Sequence, residues 1–213
     1  MDIDFRIFSI MFPIMFGFLA AFFLIIGLRG ILTGKPFLLS NKWLLVLMFA
    51  TFIPVILFPF YFALPDMDLT EMDLMEWLNP ALFTVILVMM CFALKGYVAY
   101  GVTDTSFREA LLAALEKLQL PYEETLSTMR LTSIDADLQV SVQSWLGSGM
   151  IKVKQREHRS LLTEIVAEMN RYFSGSSTPI KLTTCIFYVV MGGLTVIGGI
   201  GMVFFFQKIL MKI

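Results

Sequence analysis

The chain has 213 residues, 58% of them hydrophobic, with 16 Lys+Arg, 17 Asp+Glu and 21 phenylalanines. Charged residues reach only 15%, against about 25% in an average water-soluble domain, and the mean hydropathy is +0.80. These values exclude a soluble monomer and an intrinsically disordered chain. Two cysteines and a net charge of −1 likewise exclude a disulfide scaffold, a Cys-rich zinc site and a global attraction to nucleic acid.

The charges are unevenly distributed. Residues 7–28, 43–65, 77–94 and 182–207 contain no Asp, Glu, Lys or Arg. A helix needs about 20 apolar residues to cross roughly 30 Å of hydrocarbon. The expected fold class is therefore a polytopic α-helical membrane protein with four transmembrane helices and a small α+β insert between the third and fourth. Its regions would be a three-helix membrane part (1–100), a soluble domain (101–178), and a fourth helix with a short tail (179–213).

The first window is preceded by Asp2, Asp4 and Arg6 and has no A-x-A site, so it is expected to stay in the mature protein rather than be cleaved as a signal peptide. Pro13, Pro54 and Pro59 fall inside the first two windows and are expected to bend the helices. Asn79-Pro80 and Thr178-Pro179 read as helix starts, each with a capping side chain before a proline.

Loop 29–42 carries Arg29, Lys35 and Lys42 without an acid, whereas 66–76 carries Asp66, Asp68, Glu71, Asp73 and Glu76 without a base. Basic short loops stay cytoplasmic. Arg29, Lys35, Lys42, Lys95, Arg108, Arg171 and Lys181 then outnumber Arg6, Lys208 and Lys212. This predicts a multi-pass inner-membrane protein with a cytoplasmic domain and both termini outside.

The acidic loop offers a metal candidate. Asp66, Asp68, Glu71 and Asp73 supply hard oxygens for Ca²⁺ or Mg²⁺, and Met67, Met72 and Met75 supply thioethers for Cu(I). The spacing does not match an EF-hand. The alternative is an external loop made acidic by topology alone.

In the insert, Ser106 with Glu109 reads as a capping box, followed by apolar Phe107, Leu111, Ala114, Leu115 and Leu118 at helical spacing that stops near Leu120-Pro121. Leu126–Ser133 suggests a strand. From Asp137 the period becomes two, Gly147-Ser148-Gly149 reads as a turn, and Ile151 and Val153 alternate with Lys152 and Lys154 on a return strand. A second helix follows, with Leu161, Leu162, Ile165, Val166, Met169, Tyr172 and Phe173 on its apolar side and Gly175 at its end. With Tyr97–Thr103 as a first strand, the order approaches a ferredoxin-like plait lacking its last strand.

Trp145 and the basic run Lys152, Lys154, Arg156 and Arg159 mark the expected partner-binding face, which could also contact anionic lipid. In the fourth window, Gly192, Thr195 and Gly199 share one helical face, a groove of small residues suited either to assembly with another copy or partner, or to internal packing. Cys91 and Cys185 read as inert packing residues.

Enzyme chemistry is thinly supplied. His158 is the one histidine, and there is no H-E-x-x-H, G-x-S-x-G, Walker A or G-x-G-x-x-G motif. No cofactor is expected. The expectation is a non-enzymatic membrane subunit whose domain binds a protein partner and whose glycine-rich last helix mediates assembly. The alternative is a transporter or channel component whose acidic external loop recruits a cation.

Overall fold

The computed structural model describes residues 2–63, 74–124, 128–134 and 136–210. Among the described residues there are six α-helices: α1 (Asp2–Thr33), α2 (Asn41–Ala63), α3 (Leu74–Ala93), α4 (Asp104–Lys117), α5 (Arg159–Gly175) and α6 (Leu182–Leu210). The strands are β1 (Phe37–Ser40), β2 (Tyr97–Tyr100), β3 (Tyr122–Glu124), β4 (Thr128–Leu131), β5 (Ala136–Gln143) and β6 (Ser148–Val153). Two compact units result. One holds 1–23, 43–94 and 191–213, and the other holds 24–42 and 95–190.

Among the described residues, two helices are long and apolar enough to cross a membrane: Ser9–Thr33 in α1 and Leu182–Ile209 in α6. This overturns the four-span architecture. Charge-free length measures composition alone, whereas a crossing needs an apolar rod matched to about 30 Å of hydrocarbon. α3 ends at Ala93, so its charge-free part, 77–93, rises only about 25 Å. α2, Asn41–Ala63, is not among the two. Pro80 is likewise not a helix start, because α3 begins at Leu74. The two candidate spans suggest membrane association. Only 22% of the α1 window and 17% of the α6 window is buried within the chain, which a core helix of a soluble domain would not tolerate.

The second unit contains one six-stranded sheet of order β1-β2-β6-β5-β4-β3, antiparallel at every pairing. The ferredoxin-like expectation is corrected here. That plait carries two strands between its helices, whereas four, β3 to β6, lie between α4 and α5, and the edge beyond β2 is filled by β1, which precedes it in the chain. β3 to β6 form a meander, and β1 lies at the edge beyond β2.

β1 comes from the segment read as a connecting loop. Its outward N–H at Leu38 donates to Asn170 Oδ1 of α5 at 2.8 Å. The edge is thus covered rather than left open to another strand.

α4 and α5 cover one face of the sheet. Phe107, Leu111, Leu115, Ile165, Met169 and Phe173 meet Leu38, Ala99, Met129, Leu131, Leu138 and Ile151 in the core. Each large side chain so buried stabilises the fold by about 1.5–3 kcal/mol. The expected periodicities are what deliver these residues: every third or fourth position in the helices and alternate positions in the strands.

Local details shift the expected boundaries. The capping box uses Thr103 and Ser106 rather than Ser106 and Glu109, placing the α4 start three residues earlier. The β5–β6 turn is Ser144–Gly147, so Ser148 and Gly149 belong to β6. Gly149 is required where it stands, since an added Cβ would meet the Phe107 ring at 2.7 Å.

Candidate functional site

The sheet face opposite α4 and α5 has two halves. Register places Phe37, Leu39, Val98, Tyr100 and Met150 on its β1–β2–β6 side. Phe37 stacks on Tyr100 with ring centroids 5.5 Å apart, and the Arg29 guanidinium sits 4.6 Å from the Phe37 centroid. Tyr188 of α6 meets Tyr100 edge-on at 5.4 Å. Burial pushes the Tyr100 hydroxyl well above its ordinary range, with Tyr188 adding to the effect. This half is therefore covered by the ends of α1 and α6.

The other half is polar. Gln139 faces Lys152 and Ser141 faces Met150 across the β5–β6 ladder, and Arg130 and Thr128 extend the surface along β4. Antiparallel sheets commonly leave one face to solvent, so this half is available for contact without being specialised for it.

The five residues expected to share a partner surface do not gather at one point. Trp145, 80% exposed, stands in the β5–β6 turn. Lys152 lies mid-sheet, while exposed Lys154 and Arg159 lie past the far end of β6, about 20 Å from the turn at 3.3 Å per residue. The backbone of Arg156 is in a 3-10 turn with His158. The basic residues thus mark one end of the sheet and Trp145 the other.

The turn carrying Trp145 is fastened to the start of α6. Thr184 Oγ1 donates to Leu146 O at 2.7 Å, and Lys181 Nζ donates to Ser144 O. Gly101 and Val102 donate their N–H groups to Gly147 O at 2.8 and 3.1 Å. Gly147 has φ 63°, and a Cβ there would collide with Thr184 Oγ1. Glycine is needed both for the left-handed backbone and for the close approach.

The ends of α1 and α6 pack equally closely. A Cβ on Gly27 would meet Val189 Cγ2 at 2.7 Å and Cys185 O at 2.8 Å, and one on Gly30 would collide with Cys185 Sγ. Cys185 is accordingly buried. Sequence reasoning passed over Gly27 and Gly30. Their spacing of three along an apolar helix was the available signal.

Of the small-residue groove, Gly199 is occupied by the chain itself, since an added Cβ would meet Phe16 Cβ at 3.1 Å. Gly192 is buried, and the Thr195 hydroxyl donates to Met191 O at 2.7 Å. Gly193 and Gly201 face open space.

A cleft of about 370 Å³ lies between α4 and α5, lined by Ala113, Ala114, Lys117, Glu168, Arg171 and Tyr172 among others. Lys117 Nζ and Arg171 Nη1 lie 2.7 and 2.6 Å from the two Glu168 carboxylate oxygens. The hydrogen bond from Lys117 is the main reason the Glu168 carboxyl sits below its ordinary value, with Arg171 reinforcing it against partial desolvation. Lys117 and Glu168 did not stand out in the sequence, because they are 51 positions apart, and Arg171 entered only as one of the charges that set the topology.

Asp66, Asp68, Glu71 and Asp73, the metal candidates, lie outside the described residues. Among the described residues, no three His, Cys, Asp or Glu side chains are grouped so as to hold a metal ion. No protein-family model, curated protein or solved structure matches this chain.

Proposed function

We propose that the protein is a non-enzymatic membrane subunit that crosses the bilayer at α1 and α6 and holds its sheet domain against the cytoplasmic leaflet, where the open polar face receives a protein partner. One observation carries this reading: the sheet, the last turns of α1 and the first turns of α6 belong to a single compact unit. Gly27, Gly30 and Gly147 allow the close contacts that join them. A domain so joined is held at a set height rather than tethered by a flexible linker.

The orientation is supported by charge. Arg29, Lys35, Lys42, Lys95, Arg108, Arg171 and Lys181 all fall in the unit that contains the sheet, and short basic segments remain cytoplasmic. Both termini are then external. Gly193 and Gly201, with nothing against them, are the positions at which another helix could approach α6.

Crosslinking in native membranes followed by mass spectrometry tests the reading. The expected result is a reproducible partner or second copy joined through Lys152 or Lys154, with loss of that product in a Ser141→Arg/Lys152→Glu variant. A monodisperse chain with no crosslinked partner would sink it. Reporter fusions after residue 210 and within the β5–β6 turn check the orientation.

A further inference from the structure

We infer that the β5–β6 turn is a lipid-contact element, with the Trp145 indole seated in the phospholipid headgroup layer. This rests on the reading of α6 as a membrane span and adds a contact surface to it.

The first step is depth. The candidate span Leu182–Ile209 has 28 residues, about 42 Å at 1.5 Å per residue. That exceeds the roughly 30 Å hydrocarbon core and equals the 40–45 Å that includes both headgroup regions. The first turn of α6, including Thr184, therefore lies in a headgroup layer rather than in hydrocarbon.

The second step is attachment. Thr184 Oγ1 holds Leu146 O at 2.7 Å, and Lys181 Nζ holds Ser144 O. These bonds bracket Trp145 on both sides, so the turn shares the depth of the α6 first turn. Trp145 is 80% exposed, and its neighbours' carbonyls are engaged within the chain: Gln143 O by Leu146 N at 3.0 Å, and Gly147 O by Gly101 and Val102. A turn with the Ser144, Leu146 and Gly147 carbonyls satisfied internally enters a poorly hydrated boundary at lower cost than one with those groups unpaired.

The third step is chemistry. An indole presents a large apolar ring and one N–H donor, the combination that concentrates tryptophan at membrane–water boundaries. An exposed tryptophan on a turn fully in water would gain nothing from either. Lys181 beside it carries a positive charge suited to headgroup phosphate. The fitting partner is therefore a phospholipid surface rather than a protein pocket.

The test uses the full chain with Trp43→Phe and Trp77→Phe, reconstituted in phosphatidylcholine–phosphatidylglycerol vesicles, so that Trp145 is the sole indole. Emission should shift to shorter wavelength relative to detergent-free peptide standards, and should be quenched more by lipid brominated near the headgroup than by lipid brominated near the chain end. Adding Thr184→Val, which removes the hydroxyl that holds the turn, should reduce that shallow quenching while the protein still floats with vesicles after alkaline extraction. Long-wavelength emission, quenched by aqueous iodide and by neither brominated lipid, in protein that floats normally, would overturn the headgroup assignment and leave the span reading intact. Failure to float would overturn both.

Discussion

Gln119 holds a backbone conformation that an L side chain resists. Its φ is 54°, the one positive value outside glycine among the described residues. It follows the last turn of α4, where Gln119 N–H donates to Glu116 O and Leu120 N–H to Leu115 O, both at 3.0 Å. This is the hydrogen-bond pattern of a helix end that favours glycine at the left-handed position. Gln119→Gly is expected to stabilise α4 by about 1 kcal/mol, the left-handed penalty relieved, read as slower hydrogen exchange in its last turn. Gly147 behaves in the opposite sense. Gly147→Ala combines left-handed strain with a collision at Thr184 and should expose the β5–β6 turn to exchange.

Glu168 makes stability depend on pH. Its carboxyl lies below the ordinary 4.5 in the folded chain, chiefly through the Lys117 hydrogen bond. A depressed folded value means that the contribution is complete above the ordinary glutamate range and is lost as pH falls through the folded value. Denaturant unfolding of the full chain in micelles should show a loss on acidification below 4.5 that is diminished in Glu168→Gln. An unchanged acid slope in that variant would show that the Lys117–Glu168–Arg171 group contributes nothing.

At the scale of elements, the outer edge of strand β1 is tied down by one side chain. Asn170 Oδ1 accepts from Leu38 N–H at 2.8 Å, and Asn170 Nδ2 reaches Leu38 O at 3.5 Å. Asn170→Ala leaves a half-buried donor without its partner, at a cost of about 1–3 kcal/mol, and should raise exchange selectively at Leu38. The capping box at Thr103 makes a parallel case for α4. Thr103→Ala removes the acceptor for Ser106 N–H, now 3.1 Å away, and should cost about 1 kcal/mol.

The glycines of α6 separate folding from assembly. Gly199 is filled by Phe16, whereas Gly193 and Gly201 face nothing. Gly199→Leu should therefore destabilise the chain itself, by about 1–3 kcal/mol of overpacking. Gly201→Leu should leave the fold intact and lower any oligomer seen by crosslinking in membranes. Equal effects from both would contradict this division.

At the scale of the whole molecule, the periodicities of α4, α5, β5 and β6 were legible in the sequence because a helix or strand that buries one face repeats its apolar residues locally. Residues such as Phe107, Leu111, Ile165 and Leu138 were placed in the core on that basis and are buried there. β1 was not legible. Its four residues, Phe37–Ser40, follow Gly34-Lys35-Pro36 and show no alternation, and the strand exists because β2, far along the chain, offers it a partner. The Lys117–Glu168–Arg171 group was invisible for the same reason.

Composition alone determined that this chain associates apolar helices with a charged insert, since charge cannot be hidden in an average. The charge-free windows did not determine how many helices qualify as spans, because a window without charges does not fix where a helix begins and ends. Tertiary structure decided that count, and it filled the sheet edge beyond β2 with β1, a strand that the expected element order did not include. It also moved Trp145 away from Lys154 and Arg159 and fastened it to α6 through Thr184. Sequence patterns report which face of an element is apolar. Only the assembled contacts between distant segments decide what that face, or an exposed side chain beside it, is set against.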